Sequence, residues 1–123
     1  MRTREEALSY ARSLPDVYTD APFHDDNWLL IRRRDNRRTF LCIFERQGHI
    51  WLNLKCLPEM GVIFRGAYAS ILPAYHMNKE HWLSVILDGS VPEDVILHLI
   101  DSSYALVADK KKWRNAPSSS RPD

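Results

Sequence analysis

The sequence predicts an α+β domain in which an antiparallel sheet is packed on one face by helices near the two ends of the chain. Three observations lead there. Helical periodicity is confined to the ends: Ala7, Leu8, Ala11 and Leu14 recur at helical spacing, and Ile96, Leu99, Ile100, Ser103 and Val107 form one stripe with Leu106 at its edge. The middle of the chain alternates apolar and polar residues in runs separated by short turn signals, the pattern of antiparallel hairpins. Finally, residues 49–56 place Ile50, Leu52, Leu54 and Cys56 on one side and Trp51, Asn53 and Lys55 on the other. One apolar side and one mixed side fit a sheet covered by helices on a single face, leaving the other open for binding.

The first helix is expected over residues 3–14. Thr3 and Glu6 have the spacing of a capping box, and Pro15 stops the helix. Residues 15–27, with two prolines and many Asp and Asn, read as a loop. Strands follow over 28–34, 37–46 and 49–56, joined by turns at Asp35-Asn36 and Gln47-Gly48. In the second of these, Phe40, Cys42 and Phe44 share one face and Leu41, Ile43 and Glu45 the other. Pro58 opens a short second helix running to about residue 68, weakened by Gly61 and Gly66. Residues 70–77 contain Pro73 and read as an edge strand or irregular approach, before a turn at Asn78-Lys79 and a strand over 82–88. That strand puts Leu83, Val85 and Leu87 on one side and Trp82, Ser84 and Ile86 on the other. Ser90 and Glu93 have capping-box spacing around Pro92, and the closing helix is expected over 92–110, with Lys110, Lys111 and Lys112 at its negative end.

Residues 1–112 are assigned to one domain, large enough to bury about two thirds of its unfolded surface, and residues 113–123 to a flexible tail. Hydrophobic residues at 45% and charged residues at 27% exclude a disordered or membrane-embedded class. Residues 1–6 mix acidic and basic side chains, unlike a secretory leader, and the chain is read as cytoplasmic and monomeric, without a membrane partner. In a reducing compartment Cys42 and Cys56 are small buried hydrophobes. A net charge of +1, from 17 basic and 16 acidic residues, removes the global positive excess of a dedicated nucleic-acid binder, so any such binding must come from local clusters.

One cluster is the first hairpin tip, where Arg32, Arg33, Arg34, Arg37 and Arg38 surround Asp35-Asn36. Guanidinium pairs with phosphate in bidentate geometry, and a solvated hairpin end is the plainer reading of the same residues. A second is residues 75–82, which place His76, Asn78, Lys79, His81 and Trp82 in eight positions beside a strand. If that strand joins the same sheet, these residues lie near Trp51, Asn53 and Lys55, giving rings that stack and polar groups that hydrogen-bond. His24, Asp25 and Asp26 resemble a ligand cluster, but lack a second set at metal-binding spacing, and turn formation explains them. No catalytic residue, metal or cofactor is assigned: Ser102 and Ser103 fall on the core-facing helix, where a hydroxyl bonds a backbone carbonyl, and the histidines at 76 and 81 flank a turn.

Several motifs carry a family resemblance: Pro15-Asp16-Val17-Tyr18, Asn53-Leu54-Lys55-Cys56, His76-Met77-Asn78-Lys79-Glu80-His81-Trp82, Leu87-Asp88-Gly89-Ser90-Val91-Pro92 and Ser102-Ser103-Tyr104-Ala105-Leu106-Val107. Over residues 3–112 the chain resembles the MmcQ/YjbR family. The resemblance implies a two-layer sandwich similar to the frataxin homologue CyaY, in the arrangement described as a double wing, and with it DNA binding by fold-level analogy. Frataxin-like folds also bring iron binding through an acidic ridge near the first helix. Here that helix offers only Glu5 and Glu6 among Arg2, Arg4 and Arg12, so iron is not carried over. The expected function is a non-catalytic DNA-binding module. The arginine tip would be its wing, with Lys55 and Lys79 on the sheet side. The alternative is a domain taking a protein or small ligand on Trp51, Asn53, His76, Asn78, His81 and Trp82.

Overall fold

In the computed structural model the described residues are 1–23 and 26–109. His24, Asp25, the expected lysine run and the expected tail lie outside them. Nine elements follow in the order α1 (Arg4–Arg12), β1 (Val17–Asp20), β2 (Leu29–Arg33), β3 (Thr39–Arg46), β4 (His49–Lys55), α2 (Pro58–Ala67), β5 (Ile71–Pro73), β6 (Trp82–Ile86) and α3 (Glu93–Leu106). The strands form one sheet in the order β1-β2-β3-β4-β6-β5, every neighbouring pair antiparallel. This is the expected α+β architecture.

The apolar halves of the strands meet the helices in one core. Ile31, Leu41, Ile43, Leu52, Leu54, Leu83 and Val85 pack with Ala7, Ala11, Ile96, Leu99 and Ile100, all almost fully buried. α1 begins at the predicted capping box: the Glu6 amide donates to Thr3 Oγ1, and Glu6 accepts from the Thr3 amide at 3.0 Å. Amides of Arg2 and then Thr3 hold the Glu6 carboxyl below its usual range. Tyr10 of α1 donates to Asp101 of α3 at 2.7 Å, tying the two helices over the sheet. α2 starts with Pro58 in its first turn, as expected, and packs Gly61 near Leu83.

Five expectations need correction. Val17–Asp20, expected in a loop, is an edge strand paired with β2, so β-branched and aromatic propensity outweighs the flanking prolines and aspartates. The first hairpin turn is not the two-residue Asp35-Asn36: the loop spans 34–38, and Arg37, with φ 63°, takes the left-handed position. A register shift after Ile31, which brings Arg32 opposite Thr39, takes Phe40 out of alternation. Its ring meets Tyr104 of α3 edge-on at 5.2 Å rather than joining Cys42 and Phe44. The Ser90–Glu93 capping box does not form; α3 starts at Glu93 after Pro92, and Ser90 Oγ instead donates to Asp88 at 2.6 Å, with Ser70 Oγ 3.0 Å away. α3 also ends earlier than expected, at Leu106. The Gln47-Gly48 turn stands as expected, with both residues at positive φ, as a two-residue hairpin of this twist requires.

Candidate functional site

The sheet face away from the helices carries Tyr18, Arg32, Leu30, Cys42, Phe44, Trp51, Asn53 and Ser84 in register. This face is roofed rather than open. Asn53 and Ser84 lie opposite each other on β4 and β6. Ser84 Oγ donates to Asn53 Oδ1 and accepts the Tyr75 amide at 2.8 Å, while Asn53 Nδ2 donates to the Tyr75 carbonyl at 2.8 Å. Two of these directional bonds fix the backbone of Tyr75 above the strands, and the third locks Ser84 to Asn53. Asn53 is 0% exposed and Trp51 5%. The sequence-assigned partner face is therefore broken up: Trp51 and Asn53 are interior groups in this structure.

Rings fill the space beneath and beside the roof. Trp28 stacks on Phe44 with centroids 4.0 Å apart and planes 10° from parallel, and Tyr75 lies 5.9 Å from Phe44 and 6.2 Å from Trp51. The Arg46 guanidinium sits over both Tyr75 and Trp51, at 4.3 and 4.8 Å from their centroids. Trp28 is placed by its neighbour Asn27, whose side chain accepts from the Glu45 amide at 2.7 Å and donates to the Glu45 carbonyl at 2.9 Å, extending the ladder of β2 by a side chain. Arg4 of α1 donates to the Asn27 carbonyl at 2.7 Å and secures that corner.

Beside this stack Phe23, Trp28, His76 and Met77 line an open groove of about 350 Å³. Phe23 meets Trp28 edge-on at 6.3 Å, and the His76 ring lies 6.5 Å from Trp28 and 4.0 Å from Tyr75. His76 is in the left-handed region at φ 62°, a conformation that costs a non-glycine residue of order 1 kcal/mol. Of the other residues predicted around the 75–82 stretch, Asn78 is a turn-former, accepting the Glu80 amide on its side chain and the Trp82 amide on its carbonyl. Lys79 and His81 are exposed, and the adjacent Glu80 stands 3.5 Å from His81 Nε2. Lys55 and Trp82, paired in register at the end of the same face, are half-buried.

The five arginines do not act as one group. Arg32 donates to Asp20 at 2.9 Å on the roofed face. Arg33 points to the helix side, where Asp35 takes two of its N–H groups at 3.0 and 3.1 Å and its Nη1 donates to the Tyr104 carbonyl at 3.2 Å. Its guanidinium lies 4.2 Å from the Tyr104 ring centroid, and the Asp35 hydrogen bonds raise its pKa further. Asn36 completes the attachment by donating to the Val107 carbonyl at 2.8 Å, so the tip supplies donors to the C-terminal carbonyls of α3. Arg34, Arg37 and Arg38 remain exposed, and none is in an ion pair among the described residues. Arg34 lies 5.5 Å from the Tyr18 ring centroid, and Tyr18, Arg34 and Arg37 line a second hollow of about 430 Å³.

Tyr18, Phe23, Trp28, Phe44, Arg46 and Met77 escaped the sequence reading as site residues. Phe23 carried a signal, as an aromatic among prolines and acids; Tyr18 pairs with Arg32 only once β1 is recognised as a strand. Cys42 is enclosed, and burial pushes its thiol up to about 12; burial also raises Cys56. Elsewhere Leu57, at the N-cap of α2, and Met60, Val62 and Ile63 within it are exposed. Among the described residues no helix is long and apolar enough to cross a membrane, and no group of three or more His, Cys, Asp or Glu is placed to hold a metal ion.

A six-stranded antiparallel sheet layered on three helices, with rings and arginines on its outer face, defines a small α+β sandwich domain. The chain belongs to the YjbR family, whose model matches residues 12–106. It is 33% identical to the uncharacterised protein YyaQ of Bacillus subtilis strain 168, over 86% of this chain and 98% of that one. It is 31% identical to the uncharacterised protein YjbR of Escherichia coli K12, over 83% and 84% of the two chains. Among solved structures, a Deinococcus radiodurans protein with a DUF419 domain superposes with a TM-score of 0.82 at 36% identity, covering 90% of this chain and 82% of that one. A Pseudomonas syringae protein gives 0.77 at 28% identity, covering 86% and 99%.

Proposed function

We propose that this chain is a non-catalytic DNA-binding module of the double-wing kind, acting as a cytoplasmic monomer. The observation that supports it is the set of exposed arginines at the β2–β3 tip, Arg34, Arg37 and Arg38, of which Arg34 and Arg37 line a hollow with Tyr18. Guanidinium forks match phosphate oxygens, and a tyrosine between them adds a stacking face. Arg33 and Asn36 anchor the loop to α3, so the three exposed groups are carried on a held tip rather than a loose one. Preorganised cations lose less entropy on binding. Arg32 and Arg33 hold the hairpin together and are not contact residues in this reading, while Lys55 and Lys79 are secondary contacts.

The test is fluorescence anisotropy of labelled single-stranded and duplex DNA of equal length at two salt concentrations, with wild type and an Arg34→Ala/Arg37→Ala variant. Affinity is expected to fall with salt. For single strands the variant's slope of log affinity against log salt should be shallower by roughly 1.4, about 0.7 for each lost phosphate contact. Absence of binding to both probes at low salt retires the DNA reading.

A further inference from the structure

The groove lined by Phe23, Trp28, His76 and Met77 has no part in phosphate contact, yet it opens on the same sheet face as the arginine tip. Trp28 and Arg34 flank β2 six residues apart, about 20 Å at the rise of a strand. Phe23 is 54% exposed although it packs edge-on against Trp28, so its remaining ring surface stands in water at the groove's rim. Trp28 is held rigidly from behind by its stack on Phe44 and from the side by the Asn27–Glu45 bonds. His76 is fixed at the mouth in a backbone conformation that a histidine adopts at a cost, between the Tyr75 ring and the groove. Such strain persists where the surrounding structure imposes it, here beside the two bonds from Asn53 and Ser84 that pin the Tyr75 backbone.

Flat rings on a rigid wall, an exposed imidazole with hydrogen-bonding edges and a pliant thioether make a seat for a planar heteroaromatic ring. A nucleobase offers both a π-face and hydrogen-bonding edges, and it can enter only when unstacked, as in a single strand. We propose that this groove seats one base of a single strand whose phosphates reach Tyr18, Arg34 and Arg37 at the hairpin tip. The inference rests on the DNA reading and adds strand type and a base contact to it.

The experiment compares an oligothymidylate with an abasic oligomer of the same length, which keeps the phosphates and lacks the bases. Wild type is set beside Phe23→Ala, His76→Gly and Arg34→Ala/Arg37→Ala. Phe23 is exposed, and glycine suits a positive φ, so both groove variants are expected to fold, with circular dichroism as the check. Phe23→Ala should weaken the base-bearing strand by roughly 5- to 100-fold, as for loss of one stacked base, and leave the abasic strand unchanged. His76→Gly should weaken the base-bearing strand alone, and the arginine variant should weaken both. Equal binding of the two strands by wild type, or a Phe23→Ala protein that binds thymidylate as well as wild type, overturns the base seat while leaving DNA binding intact. Binding of neither strand overturns both readings. Free thymidine bound as tightly as the strand would assign the groove to a free nucleoside and overturn the strand contact.

Discussion

On the helix side of the sheet, Ile43, Leu52, Leu54, Leu83 and Val85 are buried by apolar contact with residues of α1 and α3. On the far side, Cys42, Phe44 and Trp51 are as deeply buried, but what covers them is a chain segment and rings held by hydrogen bonds from Asn53 and Ser84. Apolar burial is non-directional and proportional to area, so the first face gives stability without dictating fine position. Hydrogen bonds between buried groups are directional and costly to leave unmade, so the second face fixes one placement of Tyr75, and through it of His76 at the groove. Stability and site geometry are thus drawn from opposite sides of the same strands.

This division makes the largest effect a core truncation. Leu54→Ala, at a fully buried helix-side position, should cost about 2–5 kcal/mol in urea denaturation. Asn53→Ala, the adjacent residue on the other face, should cost less, about 1–3 kcal/mol, by leaving the Tyr75 carbonyl and Ser84 hydroxyl short of a partner. It should also flatten the near-ultraviolet circular dichroism of the Trp28–Phe44–Trp51–Tyr75 cluster, which Leu54→Ala in the folded state preserves. The reverse assignment of these two signals would break the division between faces.

The smallest effect concerns Asp88 at the β6–α3 turn. Hydrogen bonds from Ser70 and then Ser90 lower its carboxyl from the ordinary 3.8 to about 2. A depressed carboxylate pKa contributes stability above its unfolded value, and that contribution is lost as pH falls through the folded value. Ser70→Ala should therefore be slightly less stable at neutral pH. The difference from wild type should shrink between pH 3.8 and about 2, read from thermal melts across that window.

Much of the helix-side architecture was legible because a period in the sequence maps onto a buried stripe. Ile96, Leu99, Ile100, Ser103 and Val107 face the core as their spacing required, and Leu83 and Val85 fall on the side that alternation assigned. The far side was legible only in its alternation. Trp51 and Asn53 do point away from the helices, but nothing in the spacing states that residues 22 to 24 positions further on would return to cover them. Such roofing depends on long-range bonds, here from Asn53 to Tyr75, that leave no periodic trace. The arginine cluster shows the same limit. Five cations close in sequence divide between two faces, and their partners Asp20 and Tyr104 come from β1 and α3.

One residue beyond the paired Leu41 and Leu54, the ladder between β3 and β4 is interrupted by a helix. Ser103 of α3 inserts its hydroxyl between the strands, accepting the Lys55 amide at 2.8 Å and donating to the Phe40 carbonyl at 2.6 Å. The hydroxyl occupies the place of a direct strand-to-strand bond, so the sheet cannot finish closing at that end until the helix has docked. Hydrogen exchange at the Lys55 amide consequently registers the lifting of α3 even while the neighbouring strand amides stay protected, making one backbone proton a clock for the coupling of the two layers.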